Sequence, residues 1–155
     1  MAKLGLNYNC IPISTHAPTE EKDVVAKENC YSSLEKVCDA VPNYDLKTVI
    51  RDFNAKVGKE FYLHLACGGQ RLHNEKNDNE KRMVNFALGR DLAETGTWCQ
   101  HKDIHMVTWK SPDNKICNQI DYTQVDRGQC THVFDLRSMG GAEVESDHFF
   151  SESQN

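Results

Sequence analysis

The chain has 155 residues, enough for one domain, with a hydrophobic fraction of 39% and a charged fraction of 26%. That balance supports a packed core and excludes a largely disordered chain, although a mean hydropathy of −0.65 makes the core thin. A formal net charge of −5 excludes a module that gathers nucleic acid through a global positive field; it leaves open a carboxylate-rich site whose local charge bound cations invert.

In chain order, Leu6 to Thr15 alternates weakly and reads as a strand, and Pro12 within it points to a sheet edge or a bulge. After Pro18, Thr19 reads as a helix cap, with Glu20, Glu21 and Asp23 placing negative charge where the helix dipole favours it. Val24, Tyr31, Leu34, Cys38 and Val41 then follow one another at spacings of seven, three, four and three, a single apolar stripe at helical period. Pro42 and Asn43 end the helix, and Leu46 to Ile50 completes a strand–helix–strand unit.

From Asp52 to about Asn79 the pattern is irregular, with Gly58, Gly68, Gly69 and a polar run from Asn74. Connections this long are commonly functional or disordered. Asn79 reads as the cap of a second helix carrying Met83, Val84, Phe86, Ala87 and Leu88. The last third reads as short β-segments around Thr97, around Thr108, from Asn118 to Val125 and from Cys130 to Leu136. Ser111-Pro112-Asp113-Asn114 forms a turn between two of them. We expect one domain over 1–150 and a polar tail over 151–155, with no internal repeat.

The seven cysteines are odd in number, widely spaced and without a C-x-x-C pair. No N-terminal run resembles a signal peptide, and no stretch approaches the roughly 18 apolar residues that span a bilayer. Free thiols in a reducing compartment are expected, hence an intracellular protein of nucleus or cytoplasm with no membrane partner.

Four segments gather acids, amides and imidazoles at or just past strand ends, where short loops hold polar groups on a rigid frame. They are Ser14 to Pro18, Asp52 to Ala55, Gln119 to Tyr122 and Ser146 to His148. Asp52 and Asn54, two apart on an extended backbone, share a face; a carboxylate can hold a hard cation while a carboxamide orients a phosphate or water. The plainer reading is an Asx-rich turn after a strand. Asp121, on an otherwise apolar strand, needs a partner if buried, and a histidine is the obvious candidate. In Asp147-His148 the acid could orient one group while the imidazole acts as a base or stabilises a phosphoryl oxygen. His101 and His105 have zinc-ligand spacing, but their segment reads as loop and strand with no third ligand, so surface histidines are expected.

In this order the four segments resemble the second half of the endonuclease/exonuclease/phosphatase superfamily. Within it, the likeness is greatest to craniofacial development protein 2-like sequences and to the endonucleases of non-long-terminal-repeat retrotransposons. Ile13 to Lys22, His101 to His105, Thr108-Trp109, Ser111 to Asp113, Asn118 to Asp121 and Gly141-Ala142 also match, so the resemblance runs from about Leu6 to Phe149. It implies an α/β (α+β) fold of deoxyribonuclease I type, a partial four-layer β-sandwich flanked by helices. It also implies a DNA endonuclease using Mg²⁺ or Mn²⁺.

Residue by residue, Asp52 and Asn54 match the pair that meets metal, water and scissile phosphate. Asp147 matches the metal-side aspartate before the catalytic histidine, His148 that histidine, and Asp121 the aspartate that orients it. His16 matches a phosphate-contacting position, and Trp109 is expected beside the substrate. The 155 residues hold no counterpart of the family's early asparagine motif or its metal-binding glutamate, and Arg51 and Glu80 stand where relatives have glycine. A half-site, inactive by itself, is therefore expected. The alternatives are a non-enzymatic interaction or chromatin-associated protein, or a phosphatase-type member acting on lipid or nucleotide phosphates. An incomplete sandwich should also leave Val49, Ile50, Ile120, Tyr122, Val133 and Phe134 partly uncovered and favour self-association.

Overall fold

The computed structural model describes residues 9–58, 73, 77–95, 106–128, 135–139 and 150–154. Strand β1 (Cys10–Ser14) runs parallel to β2 (Leu46–Asp52), with helix α1 (Val24–Ala40) as the crossover. This is the expected strand–helix–strand unit, and β2 runs two residues further, to Asp52. Helix α2 (Asp78–Gly89) leads into β3 (Leu92–Glu94). The short β4 (Trp109–Lys110) and β5 (Cys117–Asn118) precede β6 (Asp121–Asp126). Among the described residues the main sheet has the order β1-β2-β6-β3, which puts Pro12 in a strand at its edge. Strands β4 and β5 form an antiparallel pair around the Ser111 to Asn114 turn, where Ser111 O accepts from Asn114 N at 2.8 Å and Ser111 N donates to Ile116 O at 2.9 Å. A third pair joins β7 (Asp135–Met139) to β8 (Phe150–Gln154), so residues 151–154 of the expected tail belong to a strand.

Helix α1 begins later than its sequence suggests. Its cap is Asp23, whose carboxylate accepts from Ala26 N at 2.6 Å; Thr19 instead starts a turn closed by Lys22 N to Thr19 O at 3.1 Å. Glu20 is drawn elsewhere, to the N-terminus of α2, where it accepts from Asp78 N at 3.0 Å and Asn79 N at 3.3 Å. The buried stripe also starts later: Val24 is 56% exposed, whereas Lys27, Leu34 and Cys38 are buried and Tyr31 packs beside them. Lys27 hides its stem in the stripe and meets Glu20 at 3.4 Å and Asp78 at 3.5 Å, an arrangement that satisfies a buried ammonium.

The second helix is capped by Asn77 rather than Asn79. Asn77 Oδ1 accepts from Glu80 N at 3.1 Å, while Asn79 is fully buried inside the first turn. Leu34 and Cys38 of α1, with Met83, Phe86 and Ala87 of α2, join Ile13, Val49 and Tyr122 of the sheet in one apolar cluster.

Val49, Ile120 and Tyr122 are buried, and on the face opposite the helices Ala93, Thr123 and Val125 are buried too. The expected bare sheet face therefore reduces, among the described residues, to Ile50 at 44% exposure. Val133 and Phe134 lie outside the described residues, as does Thr97. Strand β3 was not legible: Leu92, Ala93 and Glu94 are all fully buried, so a three-residue strand shows no alternation. No helix among the described residues is long and apolar enough to cross a membrane.

Candidate functional site

Three loops meet at the ends of β1, β2 and β6. Sheet-like bonds continue past the strands and fix them: Thr15 N to Ile50 O at 3.3 Å, Ala17 N to Asp52 O at 2.9 Å and Phe53 N to Ile120 O at 2.9 Å. Phe53 is fully buried, so the backbone drives an apolar anchor into the core between Asp52 and Asn54. The two polar neighbours are left at the site.

Asp52 is only 5% exposed. Its Oδ1 accepts from Asn54 N at 2.7 Å, and its Oδ2 lies 3.3 Å from Asn54 Nδ2 and 3.4 Å from His16 Nδ1. Asn54 has φ 47°, a left-handed conformation that asparagine tolerates better than most residues, and this returns its amide to Ala17 O at 2.8 Å. Thus His16, Asp52 and Asn54, expected together from sequence, do come together: Asp52 and Asn54 are hydrogen-bonded, and His16 lies within ion-pair distance of Asp52. With Trp109 they line a cleft of about 380 Å³ that also takes in Glu20, Lys56, Asn77 and Asn118.

Asp121 stands directly across from Asp52 in the antiparallel β2–β6 register, on the same sheet face. Thr108 Oγ1 steadies its backbone by accepting from Ile120 N at 3.0 Å and Asp121 N at 3.1 Å. Opposed carboxylates on neighbouring strands disfavour one another unless positive charge lies close by. Asp147, His148, His101 and His105 lie outside the described residues, so the contact expected between Asp121 and His148 does as well.

Sequence reasoning missed the residues that hold the cluster in place. Asn77 Nδ2 donates to Asn54 O at 2.8 Å, and its Oδ1 accepts from Lys56 N at 3.0 Å. Asn79 Nδ2 reaches Asn54 O at 3.2 Å and Pro18 O at 2.9 Å. Glu20 ties the loop after β1 to the same helix end. The start of α2 therefore serves as a clamp on both site loops. The only sequence signal was a polar run that reads as solvated loop. His73 also escaped notice; its Nε2 lies 3.1 Å from Gln119 N and 3.2 Å from Gln119 O. Burial holds its pKa below the ordinary histidine value against the opposing backbone contact, and the nearby positive charge of Lys56 lowers it further.

Oxygen donors of the kind Mg²⁺ takes are present in Asp52 and Asn54, and that ion commonly uses only one or two protein carboxylates while keeping waters. Among the described residues no group of three His, Cys, Asp or Glu side chains is placed to hold a metal.

A solved 3'-5' exonuclease (NExo) from Neisseria meningitidis matches the structure with a TM-score of 0.62, over 94% of this chain and 60% of that one, at 16% identity. The two helices, the mixed sheet and this likeness define an endonuclease/exonuclease/phosphatase-like fold of deoxyribonuclease I type. In sequence the chain is similar to craniofacial development protein 2, being 28% identical to that of Bos taurus and 27% to that of Tragulus javanicus over 144 residues. That alignment takes in 93% of this chain but only 24% and 25% of those proteins, so the chain spans about a quarter of their length. No protein-family model matches it.

Proposed function

We propose that this chain supplies half of a divalent-metal-dependent phosphodiester-cleaving site for DNA, related by descent to non-long-terminal-repeat retrotransposon endonucleases. The convergence of His16, Asp52 and Asn54 in one cleft supports this reading most directly. Asp52, with Asp147, would hold Mg²⁺ or Mn²⁺, which when bound would neutralise phosphate charge and align a water. With its Nδ2 engaged by Ala17 O and Asp52, Asn54 would orient that water through its amide oxygen, and His16 would contact the phosphate toward the leaving side. Asp121 fixes the tautomer of His148, which takes the water's proton. Trp109 lies along the substrate on the cleft wall. Such a protein would work inside the cell, in nucleus or cytoplasm.

A second reading keeps the fold without catalysis, as an interaction or chromatin-associated protein. The absence of any counterpart of the family's glutamate from these 155 residues favours it for this polypeptide taken alone. The test is to incubate residues 1–155 and Mg²⁺ with plasmid, an abasic duplex and inositol phosphates. We expect binding to DNA without nicking above background, and no phosphate release. Robust nicking that disappears in Asp147→Ala would overturn the half-site. Phosphate release from inositol phosphates would replace DNA as the substrate class.

A further inference from the structure

We propose that Lys56 is the cleft's phosphate anchor, the residue whose ammonium holds a backbone phosphate of a DNA strand lying between Asp52 and Trp109. The inference rests on the DNA reading above and assigns a binding role to a residue outside the site predicted from sequence.

Three observations carry it. Lys56 lines the same cleft as His16, Asp52, Asn54 and Trp109, and it is only half-exposed there. The cleft's acids are already engaged: Asp52 with His16 and Asn54, Glu20 with Asp78 N, Asn79 N and Lys27. The Lys56 ammonium, by contrast, has no ion-pair or hydrogen-bond partner among the described residues. A partly desolvated cation without a counter-ion costs free energy that an incoming anion recovers.

The base of the side chain is also preset. Lys56 N is tied to Asn77 Oδ1, the preceding Asn54 O is held by two amide groups, and Val57 is buried with its N–H 3.4 Å from Tyr122 Oη. Little ordering cost is left for binding to meet. The charge acts locally, because Lys56 disfavours protonation of His73 nearby. Phosphate contacts of this kind position a strand without reading its sequence, which suits a cleft also lined by the Trp109 indole.

The test measures binding of a fluorescein-labelled DNA duplex to the 155-residue chain by anisotropy across a salt series. Each phosphate contact adds about 0.9 to the slope of log affinity against log salt. Lys56→Ala should reduce that slope by about one and weaken binding roughly five- to tenfold near 0.1 M salt. Lys56→Arg should restore the slope, and Lys36→Ala, which removes an exposed charge from α1 outside the cleft, should leave it unchanged. Lys56→Gln repeats the comparison if the alanine variant folds poorly. A wild-type slope in Lys56→Ala, or an equal loss in Lys36→Ala, would overturn the anchor while leaving the DNA reading intact. A wild-type chain that binds no duplex would overturn both.

Discussion

Replacing Phe53 with alanine is expected to destabilise the domain by about 3–5 kcal/mol, the usual cost of removing a buried phenyl ring from a packed core. Phe53 is fully buried and belongs to the cluster that joins both helices to the sheet. Folded domains are stable by only about 5–15 kcal/mol, so this one ring accounts for a large fraction of the margin. At roughly 2–4 °C per kcal/mol, thermal unfolding followed by circular dichroism should fall by about 10 °C. The site should suffer with the core. Phe53 sits between Asp52 and Asn54, and its N–H to Ile120 O bond sets where both side chains emerge. A loss below about 1 kcal/mol would mean that the ring is not packed as described.

The second large effect is expected at Asn77, where one side chain serves a helix and a site loop together. Asn77→Ala removes the cap on Glu80 N, the bond from Lys56 N and the donor to Asn54 O. A lost cap costs about 1 kcal/mol and each lost hydrogen bond about 0.5–1.5, so a total near 2–4 kcal/mol should appear in urea unfolding. Asn77→Asp separates the two roles. Aspartate caps about as well as asparagine, so α2 should keep most of its stability, but the shorter of the two bonds to Asn54 O is lost and only the 3.2 Å contact from Asn79 Nδ2 remains. Asn54, held at φ 47° in part by that contact, should then shift its amide resonances, with little change at the far end of α2. Wild-type stability and unshifted Asn54 resonances in Asn77→Asp would show that the clamp on Asn54 contributes nothing, and equal losses in both variants that the cap contributes nothing.

What was legible in the sequence follows from how local each cause is. The β1–α1–β2 unit announced itself because Leu34 and Cys38 repeat at helical period and Pro12 restricts its strand to an edge. The D-x-N pair was legible as a polar segment at a strand end, but its geometry was not: in place of an extended backbone, Asn54 turns to φ 47° and Asp52 Oδ1 accepts from Asn54 N, the Asx turn of the plainer reading. The caps were misread because capping depends on which oxygen reaches which amide. Glu20 precedes α1 in sequence yet serves α2, 58 residues on. Asn79 resembles a cap but is consumed by the carbonyls of Pro18 and Asn54. Those partners are distant along the chain, and no spacing rule shows them.

Of the expected uncovered sheet, Ile50 is exposed while Val49, Ile120 and Tyr122 are covered, for a similar reason. Burial of Ala93, Thr123 and Val125 on the face away from the helices is a property of the assembled chain. Counting missing strands against the length of a whole sandwich could not reveal it. The roles of Asp147, His148 and Trp109 came from resemblance, and of these the structure describes Trp109 alone, on the cleft wall.

The central claim, that this cleft is built for a cation-assisted reaction on a phosphate, is tested most directly by paramagnetic broadening of backbone amide signals with Mn²⁺. The account predicts that the signals of Asp52, Asn54, His16 and Asp121 broaden first, and that Asp52→Asn weakens the effect at least about tenfold in Mn²⁺ concentration. Broadening centred on exposed carboxylates such as Asp39 or Asp113, or unchanged in Asp52→Asn, would contradict it.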